Sequence, residues 1–318
     1  MKNIKAKRKA QKSVSYGKYG YLFIAPFFII YFIFDLWPLF TTFYYSFFEY
    51  YIRNLTESMN FCGFDNYRNV LGITAGEKAY FLKYLKNTVI LWLGNFIPQI
   101  LLSLLLAVWL TDNRCRLKGI GLTKVMIYLP NMITAASISV LFGVMFSQYG
   151  PVTAFLRDVC KVTIPYGDFL KDIGSTRFLI SFVLFWMWFG STTILLISGM
   201  LGINPNLYEA ADIDGAGGWK KFTKITVPLL KPILLYTLIT SAIGGLQMYD
   251  IPALFNTDAA AMIGLPDDTT TTVTMYIMRL YKADVGKASA ISVLLFLITL
   301  AISVVLFCIM GDHEKGGK

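Results

Sequence analysis

Runs of apolar residues divide the chain into six segments, each long enough to cross a lipid bilayer, with polar stretches between them. The hydrocarbon core of a bilayer is about 30 Å thick, a distance that a helix of roughly 20 apolar residues spans. We therefore predict an all-α integral membrane protein with six transmembrane helices. The predicted spans cover residues 20–48, 88–110, 122–147, 178–200, 229–249 and 288–310.

The composition agrees with this prediction. Hydrophobic residues make up 56% of the chain and charged residues only 15%, whereas about a quarter of the residues of a soluble domain are charged. The net charge of +10 is explained by basic residues beside the spans, which membrane proteins keep on the cytoplasmic side. Because the sequence contains no nucleic-acid-binding motif, we expect no nucleic acid partner.

The Lys and Arg residues predict the orientation of the spans. With the basic tail 1–19 placed in the cytoplasm, the inner segments have a net charge of +11 and the outer segments −1. The positive-inside rule then favours a six-span domain over 20–310 with both termini cytoplasmic and a short tail at 311–318. The first apolar run is too long for a signal peptide, so we expect an uncleaved span.

Several kinds of chemistry are absent from the sequence. The four cysteines, at 62, 115, 160 and 308, and the single histidine, His313, lack metal-ligand spacing, so we expect no metal site. Pairing of Cys62 with Cys160 is left open. No Gly-Lys pair stands in a nucleotide-binding loop. We therefore predict that the chain is not an enzyme, binds no cofactor and does not hydrolyse ATP.

The longest predicted inner loop, 204–228, has the pattern of two short helices. Apolar and acidic residues alternate over 206–214, "GAGG" at 215–218 breaks the helix, and Trp219, Phe222 and Ile225 share one face of a second piece at 219–227. Helices this short need a covering surface. Their own membrane domain, the lipid surface or a soluble partner would each provide one, and the pattern does not choose among them.

The loop resembles the EAA loop of binding-protein-dependent ABC importer permeases. The matching pattern is Glu-Ala-Ala at 209–211, Gly215, Ile225 and Val-Pro at 227–228, where the family usually has Leu-Pro. Five other stretches are similar to the maltose-type and multiple-sugar branch. They are "FCGFDNYRNVL" (61–71), "KNTV" (86–89), "YLPNMIT" (128–134), "LQMYDIPALF" (246–255) and "GKASAISVLLF" (286–296). The chain departs from the branch after Phe255, where an Ala- and Thr-rich loop replaces Thr-Gly-Gly-Gly-Pro.

The resemblance implies the type I ABC importer permease fold in a prokaryotic cell membrane. It also implies four kinds of partner beside membrane lipid: a second permease subunit, two copies of a cytoplasmic ATPase that carry ATP and Mg, an extracellular solute-binding protein, and a carbohydrate substrate. Loop 204–228 would then form coupling helices that dock on the ATPase. The residues implied for coupling are Glu209, Ala210, Ala211, Asp212, Gly215, Ile225 and Pro228.

The resemblance also implies a substrate pathway along the spans before and after this loop. Aromatic residues there can stack on a sugar ring, hydroxyl and amide groups can bind its hydroxyls, and glycines leave space. We expect Gln247 to be a buried amide that needs a partner. The implied residues are Trp188, Phe189, Gly190, Thr193, Ser241, Gly245, Gln247, Met248 and Tyr249.

Three other functions remain open from the sequence. They are a self-contained secondary carrier or channel, a membrane anchor that recruits a soluble enzyme through 204–228, and an ABC permease for a solute other than a sugar. Ionisable residues are scarce within the spans, since Asp35 and Asp250 lie near predicted outer ends. That scarcity disfavours a proton- or sodium-coupled carrier.

Overall fold

The computed structural model describes residues 17–53, 56–74, 78–112, 119–255, 257–258 and 263–311. Most of the two predicted tails, together with Cys115 and His313, lies outside the described residues. Within them, six helical segments are long and apolar enough to cross a membrane.

Five of the six predicted spans correspond to nearly continuous helices. The first joins α1 (Gly17–Tyr31) to α2 (Trp37–Tyr45) through a π-helical turn. The second begins eight residues before the predicted start, because "YFLKYLK" continues the helix as an aromatic and basic turn. The fifth is preceded by helical turns that begin at Gly218. The other helices are α4 (Tyr80–Thr111), α8 (Ile173–Leu201), α11 (Val227–Leu246) and α14 (Val285–Gly311).

The third predicted span, 122–147, is not one helix. It consists of α5 (Ile120–Tyr128), a 3-10 turn over Leu129–Met132 and α6 (Ala135–Phe146). Pro130 lies in the turn and has no N–H for helical hydrogen bonding. Thr134 then caps α6, its side-chain oxygen accepting a hydrogen bond from the Ser137 N–H at 3.3 Å. The apolar segment that follows, 135–158, is interrupted again between α6 and α7.

Helices α4 and α8 form the centre of the bundle, and small polar residues hold them together. Gly94 allows close approach, since a Cβ there would lie 2.7 Å from the Ser181 hydroxyl oxygen. Lower along the pair, the Ser103 hydroxyl donates to the Phe189 carbonyl at 2.8 Å. Such small and polar contacts are typical of helix packing within membranes. Fully buried Leu91, Ile180 and Leu196 complete the interface.

The remaining elements are short and lie between the spans. Two β-hairpins, which the apolar pattern did not predict, interrupt the mostly helical fold. They are β1 (Phe48–Arg53) with β2 (Thr56–Phe61), and β3 (Thr257–Asp258) with β4 (Ile263–Gly264). The short α-helices are α3 (Asp65–Val70), α7 (Pro151–Asp158), α9 (Asn206–Ile213), α10 (Gly218–Lys221), α12 (Asp250–Phe255) and α13 (Val273–Tyr281), with 3-10 turns at Pro165–Gly167 and Phe169–Lys171.

Cys62 and Cys160 are both free thiols in this structure, as is Cys308. Cys62 is partly buried, and its thiol donates to the Phe47 carbonyl at 3.4 Å. Cys160 is exposed. The pairing that the sequence left open is therefore not formed here.

Candidate functional site

A cavity of about 550 Å³ lies between α4, α8 and α11, close to the middle of α4 and α8. Its wall combines aromatic rings with side-chain amides and hydroxyls. This mixture suits a polar ligand with apolar faces. The lining includes Trp92, Asn95, Gln99, Trp188, Thr192, Tyr236, Thr237, Thr240, Ser241, Gly244, Gly245, Gln247, Met248, Tyr249 and Asp250.

Six of the nine residues implied for the substrate pathway line this cavity. Trp188 and Tyr249 contribute rings to its wall, and Trp188 is half exposed. The structure thus brings together side chains from the two spans on either side of loop 204–228. The six are Trp188, Ser241, Gly245, Gln247, Met248 and Tyr249.

The other three implied residues, Phe189, Gly190 and Thr193, do not line the cavity. A Cβ at Gly190 would lie 2.1 Å from the Ile127 carbonyl oxygen, so this glycine allows α5 to pack on α8. Thr193 is fully buried, and its hydroxyl donates to the Phe189 carbonyl at 2.7 Å. Phe189 packs against Phe185, with ring centroids 5.7 Å apart. In this structure all three have packing contacts within the bundle.

Gly245 shapes the cavity wall by accommodating Trp92. A Cβ at Gly245 would lie 2.0 Å from Cδ1 of the indole ring and 2.5 Å from Cγ. Because carbon atoms in contact stand about 3.5–4.0 Å apart, only glycine leaves room for the ring here. The indole Nε1 donates to the Ser241 hydroxyl oxygen at 3.1 Å. The ring therefore bridges α4 and α11 at the edge of the cavity.

The environment of Gln247 differs from the expectation of a buried amide. Helix α11 ends at Leu246, and Gln247 is the residue that caps it, with φ −100° and ψ 10°. Its side chain is exposed and lines the cavity. The burial expected from the apolar run was wrong, because that run continues beyond the end of the helix.

The contribution of α4 to the cavity was not predicted from the sequence. Trp92, Asn95 and Gln99 line it from one face of that helix. Their spacing of three and four residues is the repeat of a helical face. Two amides at that spacing inside an apolar span are costly unless they are bonded. That pattern was the available indication of a polar wall.

Loop 204–228 forms a compact unit at the end of α8 and the start of α11. Helix α9 ends before Gly215, whose φ of +70° lies in the left-handed region that favours glycine. The Lys221 ammonium and the Asp212 carboxylate form a 2.7 Å ion pair between the two short helices. The hydroxyls of Tyr208 and Thr226 lie 2.9 Å apart. These contacts fix the relative positions of α9 and the turns that follow it.

The second short helix predicted at 219–227 is not a separate element. Helix α10 has only four residues, and a π-helical turn over Phe222–Thr226 leads directly into α11. Pro228 occupies the first turn of α11, where its missing N–H costs no helical hydrogen bond. The loop is therefore continuous with the fifth span.

The solvent-facing surface of this loop exposes large apolar side chains. Ile213 is 87% exposed and Trp219 77% exposed, and Leu207 is also exposed. Three residues of α9 are also exposed, namely Glu209, Ala210 and Asp212. Two other residues of the loop, Ala211 and Ile225, are partly buried. Apolar groups clustered at one end of a protein mark a surface that another molecule covers.

The segment 264–272, which departs from the sugar-permease pattern, is held by buried polar bonds. The Asn87 amide donates to the carbonyls of Asp268 and Thr271 at 3.1 and 3.2 Å. The Arg177 guanidinium donates to the Thr269 carbonyl at 3.1 Å and to the Asn87 side-chain oxygen at 2.7 Å. Thr272 donates to the carbonyl of Met248 at 2.9 Å. This segment thereby positions one end of the cavity wall.

Comparison with known proteins gives a family match over most of the chain. Residues 68–315 match the model described as "Binding-protein-dependent transport system inner membrane component". The chain is 31% identical over 300 residues to the lactose transport system permease protein LacF of Rhizobium radiobacter, covering 92% of this chain and 93% of that protein. It is 28% identical to the arabinooligosaccharides transport system permease protein AraP of Bacillus subtilis, covering 98% and 95%.

Solved structures share the fold. A chain of a bacterial ABC transporter involved in the import of the acidic polysaccharide alginate superposes with a TM-score of 0.75 at 20% identity, covering 94% of this chain and 96% of that one. A structure of a bacterial alginate ABC transporter in complex with an alginate pentasaccharide-bound periplasmic protein gives 0.72 at 21% identity, covering 95% and 96%. The helical arrangement described above is thus that of an ABC importer permease.

Proposed function

The chain belongs to the family of binding-protein-dependent transport system inner membrane components, and on that premise we propose that it forms half of the pathway of an ATP-driven importer for a sugar or oligosaccharide. The observation that carries this proposal is the cavity of about 550 Å³ between α4, α8 and α11, lined by aromatic rings and amides. Similar permeases of bacteria are named for lactose and arabinooligosaccharide transport. The family and the six apolar helices make it a multi-pass membrane protein.

The cavity has the chemistry that a saccharide needs. The rings of Trp188, Tyr236 and Tyr249 offer apolar faces on which a sugar ring can stack. The amides of Asn95 and Gln99 offer hydrogen bonds to hydroxyl groups. A few well-placed polar groups among apolar ones are typical of small-molecule sites.

We propose that loop 204–228 couples this pathway to an ATPase on a separate subunit. Ile213 and Trp219 provide apolar contact area, and Glu209 provides an adjacent charge. The ion pair between Asp212 and Lys221 makes the loop a preformed unit. Closure of two ATPase copies would move this unit and shift the pathway between inward- and outward-facing states by rigid-body rotation. ATP and Mg would be bound by those ATPase subunits.

The other partners in the proposal are a second permease subunit and an extracellular binding protein. The second permease would close the open side of the cavity. The binding protein would deliver the sugar at the end of the bundle opposite loop 204–228. This arrangement places both termini in the cytoplasm, in agreement with the distribution of basic residues.

Reconstitution tests the proposal. The chain is placed in proteoliposomes with a candidate second permease and ATPase, and uptake of labelled lactose and arabinooligosaccharides is measured with a candidate binding protein. We expect uptake that requires ATP and stops when the ATPase carries a mutated nucleotide-binding lysine. Uptake without any ATPase subunit would instead identify a secondary carrier, and ATP-dependent uptake of a non-sugar solute alone would refute the carbohydrate assignment.

A further inference from the structure

The described lining of the cavity contains no Lys, Arg or His, and its one charged side chain is Asp250. Asp250 begins α12, three residues after Gln247, and its side chain is exposed. Within the described part of the chain, no cation pairs with its carboxylate. The cavity therefore has a negative charge that no neighbouring residue neutralises.

Two side-chain amides of the wall are already hydrogen-bonded within the protein. The Asn95 amide group donates to the Leu91 carbonyl at 3.0 Å, and the Gln99 amide group donates to the Thr192 hydroxyl at 2.7 Å. Both residues are buried. Each amide has donors and a carbonyl oxygen that accepts. With one of its two donors already bonded within the protein, each amide keeps a carbonyl oxygen that can accept a hydrogen bond from a ligand hydroxyl.

Two threonine hydroxyls of the wall can act only as acceptors towards a ligand. Thr237 donates its hydroxyl proton to the Ile233 carbonyl and Thr240 donates to the Tyr236 carbonyl, both at 2.8 Å. A hydroxyl has one proton and two acceptor lone pairs. Once the proton is bonded to the main chain, the oxygen can only accept a hydrogen bond from a ligand.

From these observations we propose that the cavity selects uncharged saccharides and excludes acidic ones, with Asp250 as the residue that sets this charge preference. A neutral saccharide brings hydroxyl donors to these acceptors and no charge that Asp250 would repel. The carboxylate of a uronic acid brings acceptors and a negative charge, which Asp250 repels. This inference rests on the proposed function. It separates this chain by substrate charge from the structurally similar importer of alginate, which is acidic.

A thiol-labelling experiment measures the charge preference without requiring transport. Gly244 is the labelling site, because it lines the cavity and a Cβ there meets no atom within 4 Å. The four natural cysteines are replaced by serine, and Gly244→Cys is introduced in the complete transporter in detergent. Labelling rates are compared for cationic and anionic methanethiosulfonates of similar size, each divided by its rate with a free small thiol.

We expect the normalised ratio of cationic to anionic labelling rates to be at least about five. The ratio should fall by a similar factor in Asp250→Asn, because a single charge in a cleft attracts one reagent and repels the other. A matched protein that retains only exposed Cys160 is the control, and Asp250→Asn should leave its ratio unchanged. A ratio near one at Gly244→Cys, or a ratio that does not respond to Asp250→Asn, would overturn the assignment of Asp250.

Protection by sugars then tests the saccharide half of the inference. Labelling of Gly244→Cys by an uncharged methanethiosulfonate is measured with glucose or with glucuronate at the same high concentration. We expect glucose to slow labelling and glucuronate to do so only in Asp250→Asn. Equal protection by both sugars in the parent protein would overturn the proposed selection. If neither sugar protects while the charge ratio is as expected, the proposed selection among saccharides fails and the negative cavity stands, while the uptake assay with lactose and arabinooligosaccharides decides the carbohydrate function.

Discussion

Replacing Gly245 by alanine tests whether the contact between α4 and α11 shapes the cavity. The added methyl group would lie 2.0 Å from Trp92 Cδ1 and 2.5 Å from Cγ. These atoms are at the root of the indole ring, so a small rotation of the ring tip does not relieve the overlap. Either the ring leaves its rotamer or the two helices separate.

The expected destabilisation can be worked out from these contacts. Overpacking of this kind costs about 1–3 kcal/mol, and loss of the hydrogen bond from Trp92 Nε1 to Ser241 costs about 1 kcal/mol. Alanine recovers up to about 1 kcal/mol through its higher helix propensity. We therefore expect Gly245→Ala to destabilise the protein by about 1–3 kcal/mol and to reduce uptake, since Trp92 would move into the cavity.

The neighbouring glycine provides a matched control. A Cβ at Gly244 meets no atom within 4 Å, so Gly244→Ala should leave stability unchanged or slightly raised. Both variants are compared by thermal unfolding of the detergent-solubilised complex and by ATP-dependent uptake in proteoliposomes. If Gly245→Ala unfolds at the same temperature and transports at the same rate as Gly244→Ala, the reasoning from the Trp92 contact is wrong.

Because Gly215 has a φ of +70°, Gly215→Val should lose ATP-coupled uptake while the amount of protein in the membrane stays normal. Asparagine tolerates this conformation better, so Gly215→Asn should retain more uptake than Gly215→Val. Equal, normal uptake by both variants would contradict a coupling role. Gln247→Leu should lower uptake while the ATPase still responds to the loaded binding protein, and an unchanged rate and sugar preference would remove Gln247 from the pathway. Burial raises the pKa of the Cys62 thiol, which lowers its thiolate fraction near neutral pH. Iodoacetamide should therefore react more slowly with Cys62 than with exposed Cys160, and the difference between the two rates should narrow as the pH rises. Mass spectrometry of both peptides measures these rates, and equal rates at pH 7 would be the contrary result.

The apolar pattern was sufficient to predict the membrane class and the six spans, because span length depends only on bilayer thickness. It did not predict the break at Leu129–Met132, although Pro130 was available as an indication, since apolarity alone does not distinguish a continuous helix from a kinked one. The same limitation explains why Gln247 was expected to be buried. The apolar character continues past Leu246, while the helix ends there.

The residues of the candidate site differ in how well the sequence predicts that they line the cavity. The residues implied by resemblance on α11 line the cavity, whereas Gly190 and Thr193 on α8 pack against neighbouring elements. A glycine in a membrane helix either lines a cavity or lets a neighbouring helix pack closely, and only the atoms beside it decide which. The amides of α4 lay outside the matched motifs. Asn95 and Gln99 are found only by asking which groups bond a polar side chain inside an apolar span.

The unbroken helical path from Gly218 to Leu246 has a mechanical consequence. It joins Trp219 on the loop to Gly245 at the cavity over a length of about 40 Å at 1.5 Å per residue, through the π-helical turn at Phe222–Thr226 and past Pro232. When this path tilts as one body, it acts as a lever. A tilt of about 10° around its midpoint moves each end by roughly 3.5 Å, nearly the diameter of a methyl group. A force on the loop that tilts the path in this way therefore reaches the cavity as a displacement large enough to remove the Trp92 contact.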